Sequence, residues 1–152
     1  MPMIDLTVER GALDNEQLQT LMHRAVKTLM YWEKIPDTPE NRKIGWAFVT
    51  IVEPGLATVG GLTPGRPRYR FKVQTMEGMM DDGARQGVMR DLTKLVLQIE
   101  GVPHDHDNAS RVWTILREYP RSHWGVGGYP FPPSGLRSAA PEVKISADDK
   151  VY

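Results

Sequence analysis

The sequence predicts an α/β (α+β) fold: two tandem β-α-β units forming a four-stranded mixed sheet with two helices on one face. Two observations carry this. A pattern of alternating strand, amphipathic helix, second strand and Gly-Gly turn occurs twice, ending at Gly60-Gly61 and again at Gly127-Gly128; a repeat of this size sets the architecture before any single residue is weighed. The 152 residues also suffice for two fused half-domains around one small core. The expected division is residues 2–61 for the first unit, 62–131 for the second and 132–152 for a polar tail, mobile or packed on a neighbouring subunit.

In the first unit, Ile4, Leu6 and Val8 alternate with Asp5 and Thr7, the pattern of a half-buried strand. Arg10-Gly11-Ala12 makes the turn. Asp14 has Gln17 three residues on, the spacing of a capping box, and Leu18, Leu21, Met22, Ala25, Val26 and Leu29 recur at helical spacing. Residues 36–43 hold two prolines among polar residues and read as a loop; residues 46–52 are β-branched and aromatic and read as a strand. Residues 54–67, rich in Gly and Pro, connect the units.

The second unit repeats the order. Tyr69, Phe71 and Val73 alternate with Arg70, Lys72 and Gln74. Asp81 or Asp82 caps a helix whose buried face is Val88, Met89, Leu92, Leu95, Val96 and Ile99, with Gly101 at its end. Residues 104–110 read as a polar loop and 112–116 as the last long strand. Each unit requires a right-handed crossover between parallel strands. The sheet face away from the helices is expected to carry Ile4, Leu6 and Phe71. Such a face needs cover, and packing of three copies sheet to sheet supplies it.

Composition narrows the function. Lys plus Arg equals Asp plus Glu at 19 each, which gives no support for a nucleic-acid or membrane partner. The absence of cysteine excludes thiol catalysis and disulfides. Residues 1–10 lack a signal-peptide pattern, so a cytoplasmic location is expected. His104-Asp105-His106-Asp107 has metal-binding residue types, but two His in one loop without a second cluster read as a solvated loop. No metal or other cofactor is expected.

Pro2 follows the initiator Met, so removal of Met1 would expose a secondary amine. The Met-Pro start, Glu9 closing the first strand, and two β-α-β units ending in Gly-Gly resemble the tautomerase superfamily, in the fused, double-length form of its 4-oxalocrotonate tautomerase group. The segment from Glu118 through Trp124 to Gly128 is especially close to that pattern. The resemblance covers residues 2 to about 130 and implies a homotrimer with Pro2 as general base or acid in a pocket at a subunit boundary. An apolar pocket disfavours the charged amine and brings its pKa toward the working pH. The implied substrate is a small carbonyl compound or unsaturated carboxylic acid, with arginines holding its carboxylate.

The chain departs from that pattern. Ala12 and, in the second unit, Met79 stand where arginines are expected, with Met76 beside Met79 in that loop; Phe48 and Trp113 stand at a second arginine position. Trp124 fills the aromatic position of the pocket wall, where the first unit has Ala57. The remaining candidates for substrate binding are Arg10, Arg117, Trp113, Trp124 and Tyr69. Two other readings stand beside the tautomerase: a hydratase, dehalogenase or decarboxylase using protonated Pro2, and a non-catalytic trimeric binding scaffold.

Overall fold

A computed structural model describes residues 3–130, apart from the side chain of Tyr129; Pro2 and the tail beyond residue 130 lie outside the described residues. The chain divides into two compact units, Met1–Tyr119 and Pro120–Tyr152. In the first, the order is β1 (Met3–Glu9), α1 (Asn15–Trp32), α2 (Pro39–Arg42), β2 (Trp46–Val52), β3 (Tyr69–Met76), α3 (Asp82–Glu100), α4 (His106–Ala109) and β4 (Val112–Tyr119). The four strands make one mixed sheet in the order β2-β1-β3-β4. β1 runs parallel to β2, β3 parallel to β4, and the central pair β1 and β3 is antiparallel.

Both long helices start where the sequence places them. Asp14 accepts the Gln17 N–H and Gln17 reaches back to the Asp14 N–H, a complete capping box. Asp81 caps α3, and Gly101 ends it at φ 73°, a left-handed position that suits glycine. The two polar segments are not wholly irregular: Thr38 and Asp105 each cap a single helical turn, α2 and α4. β4 runs on to Tyr119, since its alternation continues through Arg117.

The two faces of the sheet are the reverse of the expectation. Ile4, Leu6, Val8, Phe71 and Val73 are buried with Leu21, Leu29, Val88, Leu92 and Val96 of the helices. The open face carries Trp46 and Phe48 on β2, Asp5 and Thr7 on β1, Arg70 and Lys72 on β3, and Trp113, Ile115 and Arg117 on β4, because residues paired across strands share a face. Alternation tells which residues lie together; the helix side is chosen by the fuller apolar set. Met89, expected on the buried face of α3, is exposed.

The second unit contains a 3₁₀ turn (Arg121–His123) and a small hairpin of β5 (Gly125–Val126) and β6 (Tyr129–Pro130). Gly127 and Gly128 form its two-residue turn with φ of 61° and 88°, the positive angles that a tight hairpin turn demands. No helix among the described residues is long and apolar enough to cross a membrane.

Candidate active site

The antiparallel seam gives the sheet two chemically distinct ends. One holds the start of β1 and the ends of β3 and β4. There Met3 pairs with Trp46 on one side and Gln74 on the other, and Gln74 pairs with Arg117. In the sequence Pro2 comes directly before Met3. Gln74 Nε2 donates to Asp5 Oδ2 at 2.9 Å on the open face. Arg117 is exposed on that face, two strand spacings or about 10 Å from β1.

Beneath the same end, on the helix side, lies Glu33, the C-cap of α1. It is only 3% exposed. The Thr75 hydroxyl donates to Glu33 Oε1. Burial pushes the Glu33 carboxyl up from its ordinary value, with the Thr75 hydrogen bond working against that. Glu33 was not singled out by sequence reasoning. The signal was available in the repeat: one constant step along the chain carries Gly11 onto Gly78, Asp14 onto Asp81, Trp46 onto Trp113 and Glu33 onto Glu100.

The other end of the sheet holds the remaining candidates of this unit, about 20 Å away along a seven-residue strand. A cavity of ≈ 650 Å³ opens there, lined among others by Thr7, Leu56, Thr58, Arg68, Arg70 and Trp113. Trp113 is 68% exposed, so it lies on the open face and not in the core. Arg70 Nη2 donates to Thr7 Oγ1 at 3.2 Å. Arg10 is held by Glu53, with Nη2 to Oε1 at 2.6 Å. That hydrogen bond and the charge behind it pull the Glu53 carboxyl below its ordinary value.

Tyr69 turns inward. Its ring is buried and its hydroxyl donates to Glu100 Oε1 at 2.8 Å. Burial first, then Glu100, push the phenol well above its ordinary range. Arg111 donates from Nη1 to Glu100 Oε1 at 2.9 Å and from Nη2 to Glu100 Oε2 at 2.5 Å. Burial works to raise the Glu100 carboxyl, but the Arg111 and Tyr69 hydrogen bonds outweigh it and hold the group below its ordinary value. Tyr69 therefore anchors the start of β3.

The structure thus brings Arg117 to the end where Pro2 is attached and gathers Arg10, Tyr69 and Trp113 at the opposite end. Trp124 belongs to the second unit, where it is buried at the close of the 3₁₀ turn. The acidic loop residues have structural tasks: Asp105 accepts the Asn108 N–H at 2.8 Å and Asp107 pairs with Arg66 at 3.1 Å.

No family model matches the chain, and no curated protein matches it in sequence. Solved structures do. The fold resembles N1, a member of the cis-3-chloroacrylic acid dehalogenase family, with a TM-score of 0.72 and 14% identity, covering 88% of this chain and 85% of N1. It resembles the asymmetric trimer of wild-type F6 fused 4-OT, with a TM-score of 0.68 and 12% identity over 84% of this chain and 94% of that one. It also resembles a macrophage migration inhibitory factor-like protein from Entamoeba histolytica, with a TM-score of 0.62 and 16% identity over 86% and 98%. The chain therefore has the fold of the tautomerase superfamily, and likenesses at these identities establish the fold alone.

Proposed function

We propose that the chain belongs to the tautomerase superfamily and is a cofactor-independent isomerase whose amino-terminal Pro2, freed of Met1, moves a proton on a small carbonyl compound or unsaturated carboxylic acid. The observation that carries the reading is the start of β1 at Met3, directly after Pro2 in the sequence, at the same end of the sheet as the buried Glu33–Thr75 contact and the exposed Arg117. A secondary amine there removes a proton next to a carbonyl as the free base and returns it as the acid. Arg117, exposed on the open face of β4, is our candidate for holding the substrate carboxylate. The same residues serve a second reaction if Pro2 works protonated: hydration, dehalogenation or decarboxylation of an unsaturated acid. N1 belongs to a dehalogenase family, which supports keeping that reading.

We further propose a homotrimer. F6 and Q0 fused 4-OT are trimers. In this chain the open face exposes Trp46, Phe48, Trp113 and Ile115, an apolar surface that association would remove from water. Assembly would also place the far end of one chain, with Arg10 and Trp113, against a neighbour, and so supply a pocket at a subunit boundary.

The test is ketonisation of the enol of phenylpyruvate by protein shown by intact mass to lack Met1. The reading expects turnover by the wild type and its loss in Pro2→Ala. Equal rates in the two, or full retention of Met1 in the native host, would replace it with the binding-scaffold reading.

A further inference from the structure

We propose that the cavity at the far end of the sheet is a binding site for a small organic monocarboxylate with an apolar body, and that Arg68 is the group that holds the carboxylate. This goes beyond the functional reading above and does not depend on it. Every residue it uses lies in the Met1–Tyr119 unit, at the end of the sheet about 20 Å along β1 from Met3.

Arg68 carries the argument. It stands just before β3, lines the cavity and is half-buried. Its Nε is shut off from water with no hydrogen-bond partner, and no carboxylate among the described residues pairs with its guanidinium. A donor removed from water without a partner is costly, and a half-buried cation calls for an anion. The neighbouring arginines have theirs. Arg66 pairs with Asp107 and donates to Asn108 Oδ1 at 2.6 Å. Arg111, which lines the same cavity, gives both its Nη groups to Glu100. Arg10 is held by Glu53. Arg68 is left with a planar fork that matches a carboxylate, and the chain supplies none.

The rest of the lining sets the class of ligand. Arg70 lines the cavity too, and among the described residues its partner is the neutral Thr7 hydroxyl at 3.2 Å. Glu9 is the acidic residue of the lining, and it pairs with neither arginine. With Arg111 neutralised by Glu100, Arg68 and Arg70 outweigh Glu9 by one positive charge. That suits a single carboxylate, whereas a second negative charge would face Glu9. The volume of ≈ 650 Å³ is that of a small-molecule site. Leu56, 75% exposed, Val59, 48% exposed, and Trp113 stand on its walls. An apolar body lying against them would remove their surface from water.

The experiment follows the leucine and valine methyl signals of the full chain by NMR as phenylacetate is added, reading Leu56 and Val59. The expected result is a saturable shift at both, with a dissociation constant at least about tenfold higher in Arg68→Gln. Phenylsuccinate, a dianion, should bind more weakly than phenylacetate, and 2-phenylethanol, which lacks the charge, should leave both signals unmoved. If Arg68→Gln fails to fold, Leu56→Asp serves: a negative charge on that exposed wall should weaken phenylacetate binding read at Val59. The proposal is overturned by the lack of a saturable shift, by unchanged affinity in either folded variant, or by equal binding of the alcohol. Pro2→Ala keeps the two readings apart: it should lose turnover and still bind phenylacetate at Leu56 and Val59. An active Pro2→Ala would remove the functional reading and leave this site standing.

Discussion

Gly87 of α3 lies so close beneath the indole of Trp32 that a Cβ at position 87 would stand 2.3 Å from the ring. A glycine inside a helix ordinarily costs about 1 kcal/mol relative to alanine. Here it admits the Trp32 ring, whose Nε1 donates to Asp91 at 3.0 Å while Arg90 stands 5.6 Å from the ring centroid. Gly87→Ala should therefore reverse the usual gain and destabilise the protein by about 1–3 kcal/mol, the cost of overpacking. Urea denaturation would show a lower midpoint with an unchanged slope.

The Glu100–Arg111 pair predicts the shape of the acid limb of stability. The folded-state pKa of Glu100 lies below its ordinary value of 4.5, so its contribution is complete above that value and drains away as pH falls through the folded value. Glu100→Gln should flatten that limb. It should also lower stability at neutral pH by about 3 kcal/mol, because Arg111, 3% exposed, is left without its anion. Denaturation midpoints at pH 3 to 7 would measure both.

Arg117 and Arg10 should separate by function. Removing the exposed cation near the end of β4, in Arg117→Ala, should raise KM for a carboxylate substrate about tenfold or more, the loss of a charge-assisted hydrogen bond, with no change in thermal midpoint. Arg10 and Glu53 are 62% and 53% exposed, and such pairs add little to stability. Arg10→Ala should leave the thermal midpoint unmoved. A KM effect would appear only if the far end of one chain meets the Pro2 end of another.

Trp113→Asp tests the open face. A charge in place of a Trp that is 68% exposed costs an isolated chain little, whereas burying it between sheets is costly. Sedimentation should show the wild type as a trimer and the variant as a monomer with unchanged circular dichroism.

Much of this was legible in the sequence, for reasons that differ by residue. Asp14, Gln17, Asp81 and Gly101 announce helix ends because caps are local chemistry. Ile4, Leu6 and Val8 announce a strand, but alternation is blind to which face the helices take. Thr38 and Asp105 each cap a turn too short to leave a periodic trace. The site was harder. Pro2 stands out by chemistry and Arg117 by strand spacing, while Glu33 sits at a helix end among polar neighbours and gains meaning only when set against Glu100. Tyr69 was read as a group at a strand start; its commitment to Glu100 depends on a contact across 31 positions, which no local pattern encodes.

The connection between the halves has a consequence of its own. β2 ends beside Glu9 and β3 begins beside Val8, so the two ends to be joined are only two strand spacings apart, about 10 Å, which three or four extended residues would span. Residues 53–68 are far more than that. The slack carries no strand of the sheet; Leu56, Thr58 and Val59 from it wall the cavity, and Val59 and Leu62 clasp it into a tight turn. Lengthening or trimming this link would re-cut the cavity without shifting a single rung of the ladder, so the chain can change what fits there while its folding stays insulated from the experiment.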